Sequence, residues 1–221
     1  MRVLSIDTSS NRANVALLEN VADRVETVTE TAQVMVASHA THLFDLIDRV
    51  LREAAWSKRQ LDGFAVVRGP GSFTGIRIAL GTVQGLALAS GRPCTGVNTL
   101  EAMAEASGPG PAERLPVLNA GRGDVYVAKY DADSSPPFEL VAPHLQTAES
   151  FWETLPGYAL WGSGARPPAD LSSARGREAG LQTAAAAGRI AILRGFASEP
   201  DRHLSPLYIR PPDAELKQPR N

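Results

Sequence analysis

The sequence predicts an α/β fold of two lobes, with mixed sheets flanked by helices. One observation is that both halves of the 221-residue chain begin with a strand, a polar turn and a second strand. Another is the Ser-, Gly- and Pro-rich run at residues 107–111, which is typical of a domain boundary. We therefore predict an N-terminal lobe of residues 1–106 and a smaller C-terminal lobe of residues 107–221.

The first half is predicted to open as an antiparallel meander and to continue with alternating helices and strands. Apolar and β-branched runs predict strands at residues 3–6, 13–18, 24–36, 63–67 and 94–97. From Leu43 onward, apolar residues at i, i+3, i+4, i+7, i+8 and i+11 predict an amphipathic helix. Helices are therefore expected at residues 43–54, 73–90 and 99–106, the last with Thr99 as its N-cap.

The second half is predicted from the same signals. Strands are expected at residues 115–118, 125–130 and 158–161, and a short extended piece at 207–210. Helices are expected from Thr147, as a cap, to Leu155 and over residues 184–197. Residues 165–180 are rich in Pro, Ser, Arg and Gly and are expected to form a loop.

Bulk composition excludes several classes of protein. Apolar residues make up 43% and charged residues 21% of the chain, which is ordinary for a globular protein. A net charge of −2 provides no chain-wide attraction to nucleic acid or to an anionic membrane. The single cysteine, Cys94, excludes an internal disulfide and a Cys-based metal site. No apolar run approaches the length of a membrane span or signal peptide, so we expect a cytoplasmic protein without membrane association.

The glycine-rich run GPGSFTG at residues 69–75 lies between a predicted strand and a predicted helix. Backbone N–H groups at such a helix N-terminus favour anions, so the run could hold phosphate. It lacks the Lys of a P-loop, however, and Thr74 stands where the dinucleotide fingerprint has its third Gly. The alternative is that the glycines allow a tight turn and close packing.

Two stripes run along the predicted helix 73–90, one of small residues and one of apolar residues. Gly81, Gly85 and Ala89 lie at i, i+4 and i+8, which would let another backbone approach closely. A second stripe contains Ile76, Leu80, Val83 and Ala87. A helix that is apolar nearly all round must be buried nearly all round. We expect either helices of a partner protein to cover it or the chain's own core to enclose it.

Other polar groups do not complete a catalytic or metal site. Asp7, followed by Thr8 and Ser9, could hold Mg²⁺ and phosphate or could form a self-capped turn. The pair His39 and His42 has i, i+3 spacing and no third ligand nearby in the sequence. Asn119, in the corresponding turn of the second half, is neutral where a metal would need a carboxylate. No Ser-His-Asp set or carboxylate pair is evident.

Taken together, several stretches resemble the TsaB (YeaZ) family. They are RVLSIDTS at residues 2–9, a His before the first long helix, RGPGSFTGIR at 68–77, GDVY at 123–126 and PLYIR at 206–210. The resemblance spans the whole chain. The family usually has Asp-Ala-Arg where this chain has Asn119, Ala120 and Gly121.

This resemblance implies a two-lobe actin/Hsp70-like ATPase fold of the ASKHA, or ribonuclease H-like, type. It also implies a non-catalytic scaffold subunit for N6-threonylcarbamoyladenosine (t6A) modification of tRNAs that read ANN codons. The chain would bind and activate the transferase TsaD together with the ATPase TsaE. It would dock to TsaD through helices of the N-terminal lobe, and when alone it would pair with a second copy through the same helices. It would meet tRNA only through the complex.

This hypothesis predicts which residues form the partner interface and a nucleotide site. The partner or dimer interface is expected to include His39, Leu43, Ile76, Leu80, Val83, Gln84 and Ala87. Vestigial or weak nucleotide binding is expected at Asp7, Thr8, Gly69, Gly71 and Ser72. No catalytic residue, metal or cofactor is expected. The alternative hypothesis is an active nucleotide-dependent enzyme or a glycoprotease-like metalloprotein of the same fold superfamily.

Overall fold

Two five-stranded sheets organise the chain. The computed structural model describes residues 1–22, 24–34, 39–108, 110–155, 157–162, 164–168, 176–179, 182–196 and 204–210. The first sheet consists of β1 (Arg2–Asp7), β2 (Arg12–Val21), β3 (Arg24–Val34), β4 (Gly63–Val67) and β5 (Cys94–Val97). The second consists of β6 (Glu113–Gly121), β7 (Asp124–Asp131), β8 (Phe138–Thr147), β9 (Tyr158–Trp161) and β10 (Gly176–Glu178).

Both sheets have the same topology. Their orders are β3-β2-β1-β4-β5 and, in reverse, β10-β9-β6-β7-β8. In each, the first three strands are antiparallel neighbours, and the fourth and fifth run parallel to the first. This is the ribonuclease H-like sheet, and its duplication in one chain defines the actin/Hsp70-like fold. The predicted fold class is therefore confirmed.

Helices cover both faces of the first sheet. The described helices are α1 (His39–Glu53), α2 (Phe73–Ser90), α3 (Thr99–Ala106), α4 (Ala148–Thr154) and α5 (Thr183–Arg194), with a short 3-10 turn at Lys58–Gln60. Of these, α1, α2 and α5 pack on the first sheet. Because side chains alternate along a strand, Leu4 and Ile6 of β1 face α1 and α2, whereas Val3 faces α5. None of the described helices is long and apolar enough to cross a membrane.

The second sheet is covered in the same alternating way. Val125 and Val127 of β7 pack with Phe151 and Trp152 of α4. On the opposite face, Tyr130 packs with residues of α3. Since α3 also contacts α5, these two helices lie between the sheets and join the two halves.

Helix α5 affects the predicted division of the chain. It follows the second sheet in sequence, yet Ala184, Ala191 and Ile192 pack in the core of the first sheet. A boundary after residue 106 separates the two sheets in sequence, and it stays a prediction. By its packing, however, α5 belongs with the first sheet and not with a self-contained lobe of residues 107–221.

Four local expectations differ from the structure. Strand β8 was not predicted, because most of its residues are exposed and lack apolar alternation. Strand β10 lies in the segment predicted to be a loop, and pairing with β9 is what makes its three residues extended. The N-cap of α3 is Asn98, whose side chain accepts the Leu100 amide at 2.8 Å, and not Thr99. Residues 207–210 form no strand.

Candidate functional site at the Gly69–Gly75 loop and helix α2

The turn after β1 is closed by its own chain. Asp7 is buried, and its Oδ1 accepts the backbone N–H of Ser9 at 2.7 Å. Its Oδ2 accepts the hydroxyl of Thr183 from α5. Both carboxylate oxygens therefore have protein partners, which is the self-capped alternative of the sequence analysis. Nucleotide binding at this turn stays a prediction, and this geometry does not favour it.

The glycine loop is packed directly on that turn. Ser72 donates its backbone N–H to Ser9 O at 2.6 Å, and Thr8 Oγ1 donates to Gly75 O at 2.6 Å. A Cβ at Gly71 would lie 2.2 Å from Ser9 O, and one at Gly75 would lie 1.9 Å from Thr8 O. The glycines are needed because backbone meets backbone here, so the close-packing alternative describes this loop.

The corresponding turn of the second sheet is also occupied by protein groups. Asn119 Oδ1 accepts the Gly121 amide at 2.7 Å. The Arg210 guanidinium donates to Ala120 O at 2.7 Å and to the carboxylate of Asp124. Within the described ranges, no group of three or more His, Cys, Asp or Glu could hold a metal ion.

One face of α2 and α1 packs into the core of the first sheet. Five predicted interface side chains are among the buried residues: Leu43, Ile76, Leu80, Val83 and Ala87. A partner could reach them only if the core opened, so this packing does not favour them as contact residues, and their assignment to an interface stays a prediction. Gln84 is half-buried and donates to Leu204 O at 2.8 Å. The side chain of His39 lies outside the described part of the structure.

The opposite face of α2 is open. Gly81, Gly85 and Ala89 are exposed and form a ridge without large side chains. A Cβ added at Gly81 or Gly85 would have no heavy atom within 4 Å. Leu88 is 69% exposed. We call Gly81, Gly85, Leu88 and Ala89 the open face of α2; it is the smooth stripe of the sequence analysis.

The N-terminal end of α2 carries an aromatic cluster that the sequence analysis missed. Phe73 stacks on Tyr208 with ring centroids 5.2 Å apart. The Arg77 guanidinium lies 3.8 Å from the Phe73 centroid, and its Nε donates to Tyr208 Oη at 2.8 Å. Leu207 donates its backbone N–H to Arg68 O at 2.7 Å. The PLYIR segment is thus held against the glycine loop, and the only sequence signal was that both stretches carry the family resemblance.

Glu30 of β3 lies close to Asp7 and provides a pH-dependent prediction. Burial raises the pKa of Glu30, an N–H from Ala185 lowers it, and the negative charge of Asp7 raises it. The net pKa lies above the usual value of 4.5, so ionisation of Glu30 opposes folding as the pH rises through its folded pKa.

Glu30→Gln is therefore expected to be more stable than the wild type at neutral pH. The amide oxygen can still accept the Ala185 N–H, while the charge that opposes folding is gone. The stability difference should shrink as the pH falls from the raised folded-state pKa toward the usual value of 4.5, and should vanish below it, where Glu30 is protonated in both states. Urea unfolding of both proteins across this range measures it, and a difference that grows at low pH would contradict the stated cause.

Known proteins share both sequence and architecture with this chain. The model of a family described as TsaD: tRNA N6-adenosine threonylcarbamoyltransferase matches residues 27–136. YeaZ from Pseudomonas aeruginosa superposes with a TM-score of 0.75 at 25% identity, over 94% of this chain and 99% of that one.

Sequence relatives match over similar lengths. The tRNA threonylcarbamoyladenosine biosynthesis protein TsaB of Escherichia coli is 31% identical over 73% of this chain and 74% of its own. An uncharacterized protein of Mycobacterium tuberculosis is 32% identical over 96% of this chain and 93% of its own. With the duplicated sheet and the shared motifs, these matches show that the chain belongs to the TsaB family.

Proposed function

We propose that this chain acts in t6A biosynthesis as a non-catalytic scaffold subunit. In this proposal it binds and activates TsaD, together with TsaE, for modification of tRNAs that read ANN codons. Support for the reaction comes from the relatives, which are named tRNA threonylcarbamoyladenosine biosynthesis proteins.

The observation that carries the scaffold role is the open face of α2. Residues without large side chains allow the axes of two helices to approach closely, because interaxial distance depends on the side chains at the contact. Beside them the apolar side chain of Leu88 is exposed. A cavity of ≈ 260 Å³ lies at the C-terminal end of the helix and is lined in part by Ile47, Leu86 and Ala89. This combination fits an apolar helix of a partner protein.

The closed turns support a role without catalysis. A catalytic phosphate site would need carboxylate oxygens and backbone N–H groups available to the ligand. Here Asp7 is bonded to Ser9 and Thr183, and the glycine loop packs on Ser9. The fold of an ATPase is therefore retained while its phosphate-binding turns serve as packing surfaces.

Gly85→Gln is expected to separate docking from folding. Gln has a better helix propensity than Gly, so the lone chain should be about 0.5–1 kcal/mol more stable. The added side chain would stand on the ridge and hold a partner helix away. We expect binding to TsaD to weaken at least about ten-fold, a loss of about 1.4 kcal/mol, as measured by titration calorimetry with purified TsaD.

Glu153→Gln is the matched control. It introduces the same residue at an exposed position of α4, on the second sheet, and should bind TsaD like the wild type. The proposed pairing of two copies should show the same contrast. Gly85→Gln should reduce self-association in sedimentation experiments, and Glu153→Gln should not. Wild-type affinity of Gly85→Gln for TsaD would place the interface elsewhere.

A further inference from the structure

A cavity of ≈ 240 Å³ is lined by residues of both sheets and by Asp7. Its lining joins distant parts of the chain. Arg12 and Asn14 come from the first sheet, Thr99 from α3 and Glu178 from β10 of the second sheet. Since Arg12 and Asn14 are two residues apart on β2, they lie on the same face of the strand.

Three polar atoms of this lining lack a hydrogen-bond partner among the described residues. They are Asn14 Oδ1, Thr99 Oγ1 and Arg12 Nε. Asn14 and Thr99 are each only 3% exposed. Buried polar atoms in folded proteins are nearly always paired, because an unpaired one loses its hydration without compensation. Two such side chains on one cavity are available to bond a ligand.

The unpaired atoms specify the ligand by their chemistry. Asn14 Oδ1 can only accept, Arg12 Nε can only donate, and Thr99 Oγ1 can do either. The Glu178 carboxylate, whose Oε2 accepts from Arg166 at 2.8 Å, also lines the cavity, and Met103 and Leu118 add apolar surface. A complementary molecule therefore carries a cationic N–H donor, an anionic acceptor and a small apolar part.

We propose that this cavity binds a free α-amino acid as its zwitterion. The ammonium group meets Asn14 Oδ1 and the Glu178 carboxylate, the carboxylate group meets Arg12, and Thr99 Oγ1 bonds either group. The volume lies below the roughly 300–1,000 Å³ of pockets for drug-sized ligands, which suits a molecule of this size. This inference is independent of the scaffold function.

Nucleotides are a poor match for the same cavity. Their phosphates would have to enter the region beside Asp7, where Ser72 already donates its backbone N–H to Ser9 O and Gly75 O accepts the Thr8 hydroxyl. Glu178 and Asp7 would also repel a polyphosphate. A ligand without phosphate is what the lining favours.

Thr99→Val tests the site with little disturbance of the fold. Its hydroxyl has no partner among the described residues, so a methyl group in its place should leave stability unchanged or raise it. Full-length wild type is titrated with each of the L-amino acids, with an alkylamine, with acetate and with ATP-Mg²⁺, and binding is followed by amide chemical shifts. We expect at least one amino acid to bind saturably, and its affinity to fall about ten-fold in Thr99→Val through loss of a buried hydrogen bond.

Two further variants complete the test. Arg12→Met removes the donor for the carboxylate group of the ligand. It should weaken binding of the amino acid and leave any binding of the alkylamine unchanged. Thr154→Val, on α4 outside the cavity, should bind like the wild type. The proposal is overturned if no amino acid binds, if Thr99→Val binds the responding amino acid equally well, or if ATP-Mg²⁺ is the ligand whose binding Thr99→Val abolishes.

Discussion

Val83→Asp is expected to unfold the chain and not merely to weaken partner binding. The Val83 side chain is fully buried in the core that α1 and α2 share with the first sheet. An unpaired carboxylate there would lose its hydration, and the apolar packing contacts of the valine would be lost. We expect a loss of about 4 kcal/mol or more, which is exceptional for one substitution and is comparable to the whole stability of many domains.

Leu88→Asp, five residues along the same helix, is the control for this effect. Leu88 is 69% exposed, so the aspartate stays hydrated and the fold should change by no more than about 0.5 kcal/mol. Urea denaturation of the two proteins measures the contrast. Equal stability of Val83→Asp and Leu88→Asp would show that this face of α2 is not in the core.

Gly75→Ala and Gly81→Ala are expected to shift stability in opposite directions, although both lie in α2. A Cβ at Gly75 would lie 1.9 Å from the backbone oxygen of Thr8. Because backbone cannot move aside as a flexible side chain can, we expect a loss of about 3 kcal/mol or more. A Cβ at Gly81 would contact nothing within 4 Å, and the better helix propensity of Ala should add up to about 1 kcal/mol.

Thermal and urea unfolding of both glycine variants measure their stabilities relative to the wild type. Their chemical change is the same, one methyl group in one helix, so the difference reports only the surroundings. If Gly75→Ala is as stable as the wild type, the glycine loop does not pack on the turn after β1, and a phosphate-binding loop becomes the better description.

The first and last residues of α2 were predicted from the sequence, but which of its two stripes faces the core was not. Residues 73–90 form one helix as expected. Periodicity identifies the stripe of Leu80 and Val83 and the stripe of Gly81 and Gly85, but both are apolar or small. Which one faces the chain's own sheet depends on tertiary packing, and the bulkier stripe fills the core because it removes more apolar surface from water.

Elements defined by distant partners were also beyond the sequence. Strand β8 has an exposed face and depends on pairing with β7. Helix α5 crosses back to the first sheet, and Thr183 at its start supplies the hydroxyl that closes Asp7. Local patterns contain neither contact. By contrast, the duplicated strand-turn-strand openings were evident in the sequence and predicted two related lobes, and the structure has two sheets of the same topology.

The central claim, a scaffold that docks without catalysing, is tested most directly by reconstituted t6A formation. Purified TsaD and TsaE, the tRNA and the other substrates are combined with wild type, Gly85→Gln or Asp7→Asn. Asp7→Asn keeps the local hydrogen bonds, since its amide can accept from Ser9 and donate to Thr183, but it removes the carboxylate that an ATPase-type metal site would need.

We predict that Asp7→Asn supports t6A formation within about two-fold of wild type, a difference of about 0.4 kcal/mol. Gly85→Gln should lose activity in proportion to its weaker binding of TsaD, and a large excess of the variant should restore it. The opposite pattern would contradict the account: a loss of about a hundred-fold or more in Asp7→Asn, as expected for a catalytic carboxylate, together with full activity of Gly85→Gln.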